Sequence, residues 1–312
     1  MLKPIHYIEH AADVIGCAVQ QIAENRQFVL VTAVDMHGGS SRELGTLALV
    51  TEDGEMFGYL SNGCIDRDIQ LQAENALSSG TRRILHYGAG SPFMDLTLPC
   101  GGGLKLLLDP DPDTNALKKA HSLLSKRQEA RLEFTPPDGS PMQFIYGPKP
   151  RLALAGRGSV FRAMAETGHG AGFDLMLYSP ERDDLAAVER FAPVRSEHLT
   201  NPQNIPSLEL DRHSAFLTLF HDHDWEPDLL LEALKSPARF IGSLGSKRTH
   251  KLRCNRLMAL GASPDEIARI AGPIGLVPSL RQAPFIAVSA MAHIIERFPR
   301  FIEVSESEEI GA

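Results

Sequence analysis

The sequence predicts an α/β protein of two domains: an α+β unit over residues 1–148 and a doubly wound parallel-sheet unit over 149–312. Three observations carry this. A chain of 312 residues exceeds what one hydrophobic core usually supports. The stretch from Pro136 to Pro150 holds five prolines and two glycines, a composition suited to a linker. Beyond it strands and helices alternate, as they do when a parallel sheet is covered on both faces.

Taken in order, apolar residues at Ile8, Ala12, Ile15, Val19 and Ile22 form a helical stripe. Phe28 to Val34 reads as a strand, followed by the loop His37 to Arg42. Thr46 to Val50 and Met56 to Leu60 flank Asp53-Gly54, a hairpin signal because that pair tolerates positive φ. Cys64 to Ser78 is expected to be a helix stopped by Gly80. Strands at Arg82 to Tyr87 and Leu104 to Leu108, a helix at Asn115 to Lys126, and a hairpin about Asp138-Gly139 complete the first unit.

In the second unit, strand Arg151 to Ala155 passes through Gly156-Arg157-Gly158 into a helix ending near Gly168. Strand Asp174 to Tyr178, helix Asp183 to Phe191, strand Ala215 to Phe220, helix Glu226 to Lys235 and strand Phe240 to Ile241 follow. Three helices finish the chain, at Lys247 to Leu260, Pro264 to Ile270 and Pro284 to Arg297. Ser263 and Glu266 form a capping box at the second of these.

The formal net charge of -8 disfavours a general nucleic-acid or anionic-membrane binder, which would need a basic face. One local basic patch is read at Lys247, Arg248, Lys251, Arg253 and Arg256. No apolar run approaches the roughly 18–20 residues of a membrane span, and no secretory signal is expected. Cys17, Cys64, Cys100 and Cys254 include no C-x-x-C pair, so free thiols in a reducing cytoplasm are expected. Cys17, among Ile15, Val19 and Ile22, reads as buried filler.

Strand, Gly156-x-Gly158, helix is how a dinucleotide or phosphate site begins. Arg157 would add positive charge beside a bound anion. However, Phe161 occupies the third position of G-x-G-x-x-G/A. The ribose-binding acid is also replaced by Tyr178-Ser179-Pro180-Glu181-Arg182. The readings are a phosphate site, the NAD(P) site of an oxidoreductase, and a Rossmann-type domain whose site is degenerate. After the next strand, His221-Asp222-His223-Asp224 has the ligand types for zinc or another divalent ion. No third histidine follows at helical spacing, and Asp224 to Pro227 resembles a helix cap with acidic first-turn residues. His221 is then a polar residue lining the crevice.

Cys64 and Cys100 sit beside glycines, in Gly63-Cys64 and Cys100-Gly101-Gly102-Gly103. A thiol at a helix start has its thiolate favoured by the dipole, and flanking glycines admit a ligand close to the backbone. Such thiols suit sulfur uptake, a transient disulfide or a metal centre. The alternative is two small residues filling tight turns.

Several segments together resemble the xanthine dehydrogenase accessory proteins, the XdhC/CoxI family. Gly39 to Thr46 is similar to its G-S-x-P-R-x-x-G loop, with Arg42 at the arginine and Ser41 where proline is usual. Asn62-Gly63-Cys64-Ile65-Asp66 resembles G-G-C-x-E, and Cys100-Gly101-Gly102 its C-G-G. Phe240 to His250 and Ile270 to Leu276 resemble Y-I-G-x-x-G-S-x-R and H-x-P-I-G-L. Phe285 and His293 stand where acidic residues are common.

The resemblance implies a chaperone that binds the molybdenum cofactor, as molybdopterin or its dinucleotide form. It would insert the cofactor into a molybdenum hydroxylase apo-enzyme of the xanthine or CO dehydrogenase type, and would be an accessory protein rather than a stand-alone enzyme. A cysteine desulfurase as a further partner, help with sulfuration, and a homodimer are also implied. Within the retained segment, Gly242, Ser243, Gly245 and Ser246 at a helix start, followed by Lys247 and Arg248, form a second candidate anion cradle. Cys64 and Cys100 are then candidate molybdenum or sulfur ligands.

Overall fold

A computed structural model describes residues 3–38, 42–61, 63–88, 102–137, 139–220, 224–298 and 302–304. The chain divides into two compact units. The first runs β1 (Ile5–His6), α1 (Ala11–Ala23), β2 (Phe28–His37), β3 (Leu47–Thr51), β4 (Met56–Phe57), α2 (Asp66–Ser79), β5 (Arg83–Gly88), β6 (Gly103–Asp109), α3 (Thr114–Ser125), β7 (Ala130–Phe134) and β8 (Met142–Tyr146). Its main sheet has the order β1-β4-β3-β2-β6-β5, and all pairs but β1–β4 are antiparallel.

Strand β2 shows why that sheet is apolar on both sides. Phe28 and Leu30 point to one core, with Val14 and Ile15 of α1 and Leu117 of α3. Val29 and Val31 point to the other, with Ile69 and Ala73 of α2. The continuous apolar run thus marks a strand covered twice.

The linker expected over 136–150 is shorter than its composition suggests. Met142, Phe144 and Tyr146 alternate along β8, and Phe144 and Tyr146 are fully buried. Period-2 burial outweighs the flanking prolines, and residues 147–150, without regular structure, lead from β8 into β9.

The second unit runs β9 (Arg151–Gly156), α4 (Gly158–Gly170), β10 (Asp174–Ser179), α5 (Arg182–Glu189), β11 (Val194–His198), β12 (Ser214–Leu219), α6 (Glu226–Leu234), β13 (Phe240–Ser243), α7 (Lys247–Ala259), α8 (Pro264–Ala268), β14 (Ile270–Ala271) and α9 (Ala283–Ile295). Every pairing in the order β11-β10-β9-β12-β13-β14 is parallel. This is the doubly wound Rossmann arrangement, its strand order reversing between β9 and β12. Leu152 and Leu154 face a core shared with α4, α5 and α9. Ala153 and Ala155 face one shared with α6, α7 and α8.

Contrary to the expectation that three helices finish the chain, a strand follows α9. This strand, β15 (Ile302–Val304), pairs antiparallel with β8, giving the three-stranded sheet β15-β8-β7. The second unit therefore closes at 299, and the expected range 149–312 is too long at its end. Among the described residues no helix is long and apolar enough to cross a membrane.

Candidate functional site

The first candidate element is the loop carrying Cys64. Helix α2 begins at Asp66, two residues later than expected, because the Asp66 carboxylate turns back onto the preceding loop. Its oxygens accept the backbone N–H groups of Leu60 (2.8 Å), Ser61 (3.1 Å) and Gly63 (2.9 Å), and also the Ser61 hydroxyl. Asp66 is 1% exposed, and charged hydrogen bonds at that depth are the strong kind. The thiol beside this knot is free and exposed. Asp66 and Asp68 both lie in the first turn, so carboxylates rather than the thiol meet the positive end of α2. Asp68 also accepts the Tyr87 hydroxyl (2.6 Å), tying α2 to β5. Burial first, and Asp68 second, push that phenol above its ordinary pKa.

Arg42 forms an ion pair with Glu9, and Gly102 is buried. Gly88 could not carry a side chain, since a Cβ would lie 2.0 Å from the Gly102 carbonyl oxygen. Cys17 is half-buried, and burial pushes its thiol up, as filler requires. Cys100, Gly101, Asn62, Ser40, Ser41 and the His221-Asp222-His223 run lie outside the described residues. Among the described residues no cluster of three or more His, Cys, Asp or Glu side chains is placed to hold a metal ion.

In the second unit the Gly156 turn is closed by the protein's own groups. A Cβ on Gly156 would stand 2.7 Å from that of Leu219 on β12, so this glycine serves strand packing. Gly158 is left-handed, at φ 79°, and its N–H donates to Asp184 Oδ2 at 2.6 Å. Arg162 donates to the other Asp184 oxygen (2.5 Å), and Arg157 pairs with Glu181 (3.4 Å). A carboxylate from α5 thus occupies the helix end where a phosphate would bind, and both nearby arginines are engaged by acids. Phe161, the residue that broke the glycine motif, is fully buried in the core.

The Gly242 turn differs. Gly242 and Ser243 belong to the interior rather than to a cradle. A Cβ at Gly242 would meet Ile274, Leu217 and Phe240 within 2.7 Å. The Ser243 hydroxyl donates to Glu226 Oε1 (3.0 Å) and accepts that of Thr218 (2.6 Å). Glu226 in turn receives Arg253 through Nε (3.2 Å) and Nη2 (3.0 Å), and Nη2 also donates to the Leu244 carbonyl (2.8 Å). The two charged side chains are 2% and 3% exposed. Hence Glu226 is not an exposed first-turn acid, and Arg253 is not part of a surface patch. Together they bolt α6, β12 and β13 to the underside of the turn before α7.

Above that bolt, Ser246 caps α7 by accepting the Thr249 N–H (3.1 Å). Lys247 and Arg248 are exposed in a first turn that contains no acidic residue. His250 fills the space over Gly272, where a Cβ would come 2.1 Å from its Nδ1. Burial, then Arg253, hold its imidazole below the ordinary value.

The second unit matches the XdhC Rossmann domain family over residues 152–294, and residues 21–88 match the XdhC and CoxI family. Over 296 residues the chain is 31% identical to the molybdenum cofactor insertion chaperone PaoD of Escherichia coli (strain K12), covering 90% of this chain and 86% of that protein. The chain belongs to the XdhC and CoxI family. It is also 24% identical over 280 residues to YqeB, an uncharacterized protein of the same organism, of which it spans 44%. A solved structure described as a xanthine dehydrogenase from Bacillus halodurans superposes with a TM-score of 0.72 at 22% identity, covering 90% of this chain and 94% of that one. At that identity the likeness shows the fold.

Proposed function

We propose that this protein binds the molybdenum cofactor as cargo and inserts it into a molybdenum hydroxylase of the xanthine or CO dehydrogenase type. Its membership of the XdhC and CoxI family, and its likeness to a protein named a molybdenum cofactor insertion chaperone, support the reading. The observation that carries it is the exposed thiol of Cys64 on a loop fixed by the buried Asp66 carboxylate. A molybdenum centre is thiophilic, and a thiol whose backbone is pinned loses little freedom when it becomes a ligand. Cys100 is the second thiol of the proposal. The phosphate of the pterin needs a cation-bearing helix end. Taken by itself, the second unit offers the α7 start, with Gly245, Ser246, Lys247 and Arg248, which fits that requirement better than the α4 start, which Asp184 fills. Sulfur delivery by a desulfurase partner, a dinucleotide form of the cofactor and a homodimer remain parts of the proposal.

The test is to load the full chain with cofactor and measure retained molybdenum and pterin after desalting. Cys64→Ala with Cys100→Ala, and separately Lys247→Glu with Arg248→Glu, should each weaken retention at least about tenfold, equivalent to roughly 1.4 kcal/mol. Retention unchanged in both double variants would remove the thiol and cradle roles together.

A further inference from the structure

Helix α9 is apolar on nearly every side, yet only one side is covered. Ala287, Ala290, Met291 and Ile294 pack into the core. On the other side Phe285, Val288 and Ile295 are 58%, 59% and 52% exposed, with Ala292 exposed between them. Their spacing of three, four and three residues lays them in one stripe. A helix apolar all round is normally buried all round.

The segment after β14 widens the stripe. The Leu276 N–H donates to the Ser289 carbonyl (3.3 Å), the Val277 N–H to Ser289 Oγ (2.8 Å), and the Gly275 N–H to His293 Nδ1 (3.3 Å). The backbone is stitched to α9 while the Leu276 and Val277 side chains stay 52% and 56% exposed.

We infer that this face docks the client apo-hydroxylase through an apolar patch of the client rimmed by carboxylates. The inference rests on the proposed function for the identity of the client. Two observations select a client over a second copy of this chain. The five side chains expose on the order of 500 Å² of apolar surface, the size of the largest, often functional, patch of a monomer and below the roughly 800 Å² per partner of a stable complex. That size fits a transient encounter. The charges agree: Arg281 precedes the stripe, and Arg297 follows it beside Arg239, whose Nε donates to the Arg297 carbonyl (2.8 Å). Among the described residues from His293 to Phe298, Glu296 is the one acid. Two copies pairing antiparallel through this stripe would set Arg281 of one against Arg297, Arg239 and Glu296 of the other, three arginines to one acid at each pair of ends, whereas an acid-rimmed partner meets them all.

The experiment uses the full chain and a purified molybdenum hydroxylase in its cofactor-free form. Binding is followed by interferometry at low and high salt. Val288→Asp should raise the dissociation constant about tenfold or more, and Arg281→Glu by a smaller factor that vanishes in high salt. Tyr7→Asp, at a residue 74% exposed in the first unit, should leave it unchanged. Phe285→Ser serves as the second variant if Val288→Asp lowers the melting temperature. Equal affinity for well-folded stripe variants, or no binding by the wild type, overturns the inference. So does a wild-type dimer that Val288→Asp splits in sedimentation velocity. Cofactor retention, measured on the same variants, should not move. Loss of retention in the wild type would refute the proposed function, while the docking result reads separately.

Discussion

The second unit presents two glycine turns at the carboxyl ends of parallel strands β9 and β13, which flank β12, and chemistry imported from elsewhere sets them apart. At α4 the first helical N–H is taken by Asp184, 26 residues on, and Arg157 and Arg162 are matched by acids. At α7 the cap comes from Ser246 within the turn, Lys247 and Arg248 stay exposed, and the acid beneath, Glu226, is consumed by Arg253. A strand–glycine–helix motif therefore specifies a backbone shape. Whether that shape receives an anion depends on whether a carboxylate of the same chain has reached it first.

Removing the bolt under α7 should damage the second unit most. Glu226→Ala leaves Arg253 buried without its partner, and a loss of about 3–5 kcal/mol is expected, read as a fall in the urea midpoint at constant slope. A loss below about 1 kcal/mol would mean the pair does not hold the turn. Next comes the plug at α4. The wild type should show no saturable heat with NADH or NADPH, because Asp184 holds the helix end. Asp184→Ala should cost about 2 kcal/mol in stability and admit inorganic phosphate at that end, as seen by calorimetric titration. Tight cofactor binding by the wild type would refute the plug.

The smallest effect concerns pH. Burial, then a neighbouring arginine, hold His250 and His293 below the ordinary imidazole value. As pH falls through and below about 6.5 the unfolded chain takes up these protons first, so stability present above that pH is lost below it. Urea midpoints should drop between about pH 7 and about pH 5, and His250→Gln should shrink the drop.

Much of the architecture is legible locally. The hairpin at Asp53-Gly54, the period change after residue 150 and the Ser263 capping box all stand in the structure. Strand β11 escaped because it lies at a sheet edge, and its residues Arg195, Ser196 and Glu197 face solvent. The site was less legible, for one recurring reason. Asp66, Asp184 and Glu226 each stand in the first turn of a helix, where local rules read a complement to the dipole. In the fold each carboxylate reaches outside its own helix, to a loop, to another helix end and to a buried arginine. Chain spacing carries no signal of such reach. Gly242 and Ser243 misled in the opposite sense, since motif glycines and serines read as ligand-binding serve close packing and a buried network here.

Strand β15 sets an order of synthesis. The first unit's small sheet is β15-β8-β7, so the segment that completes it leaves the ribosome only after the whole parallel-sheet unit has been made. Topologically, the Rossmann unit is an insertion between two adjoining strands of its neighbour. It is contiguous and can fold while translation continues. The earlier-made half, which carries Cys64, holds an unfilled edge on β8 until Ile302–Val304 arrives, and Ile302 then packs beside Phe144 and Gly45.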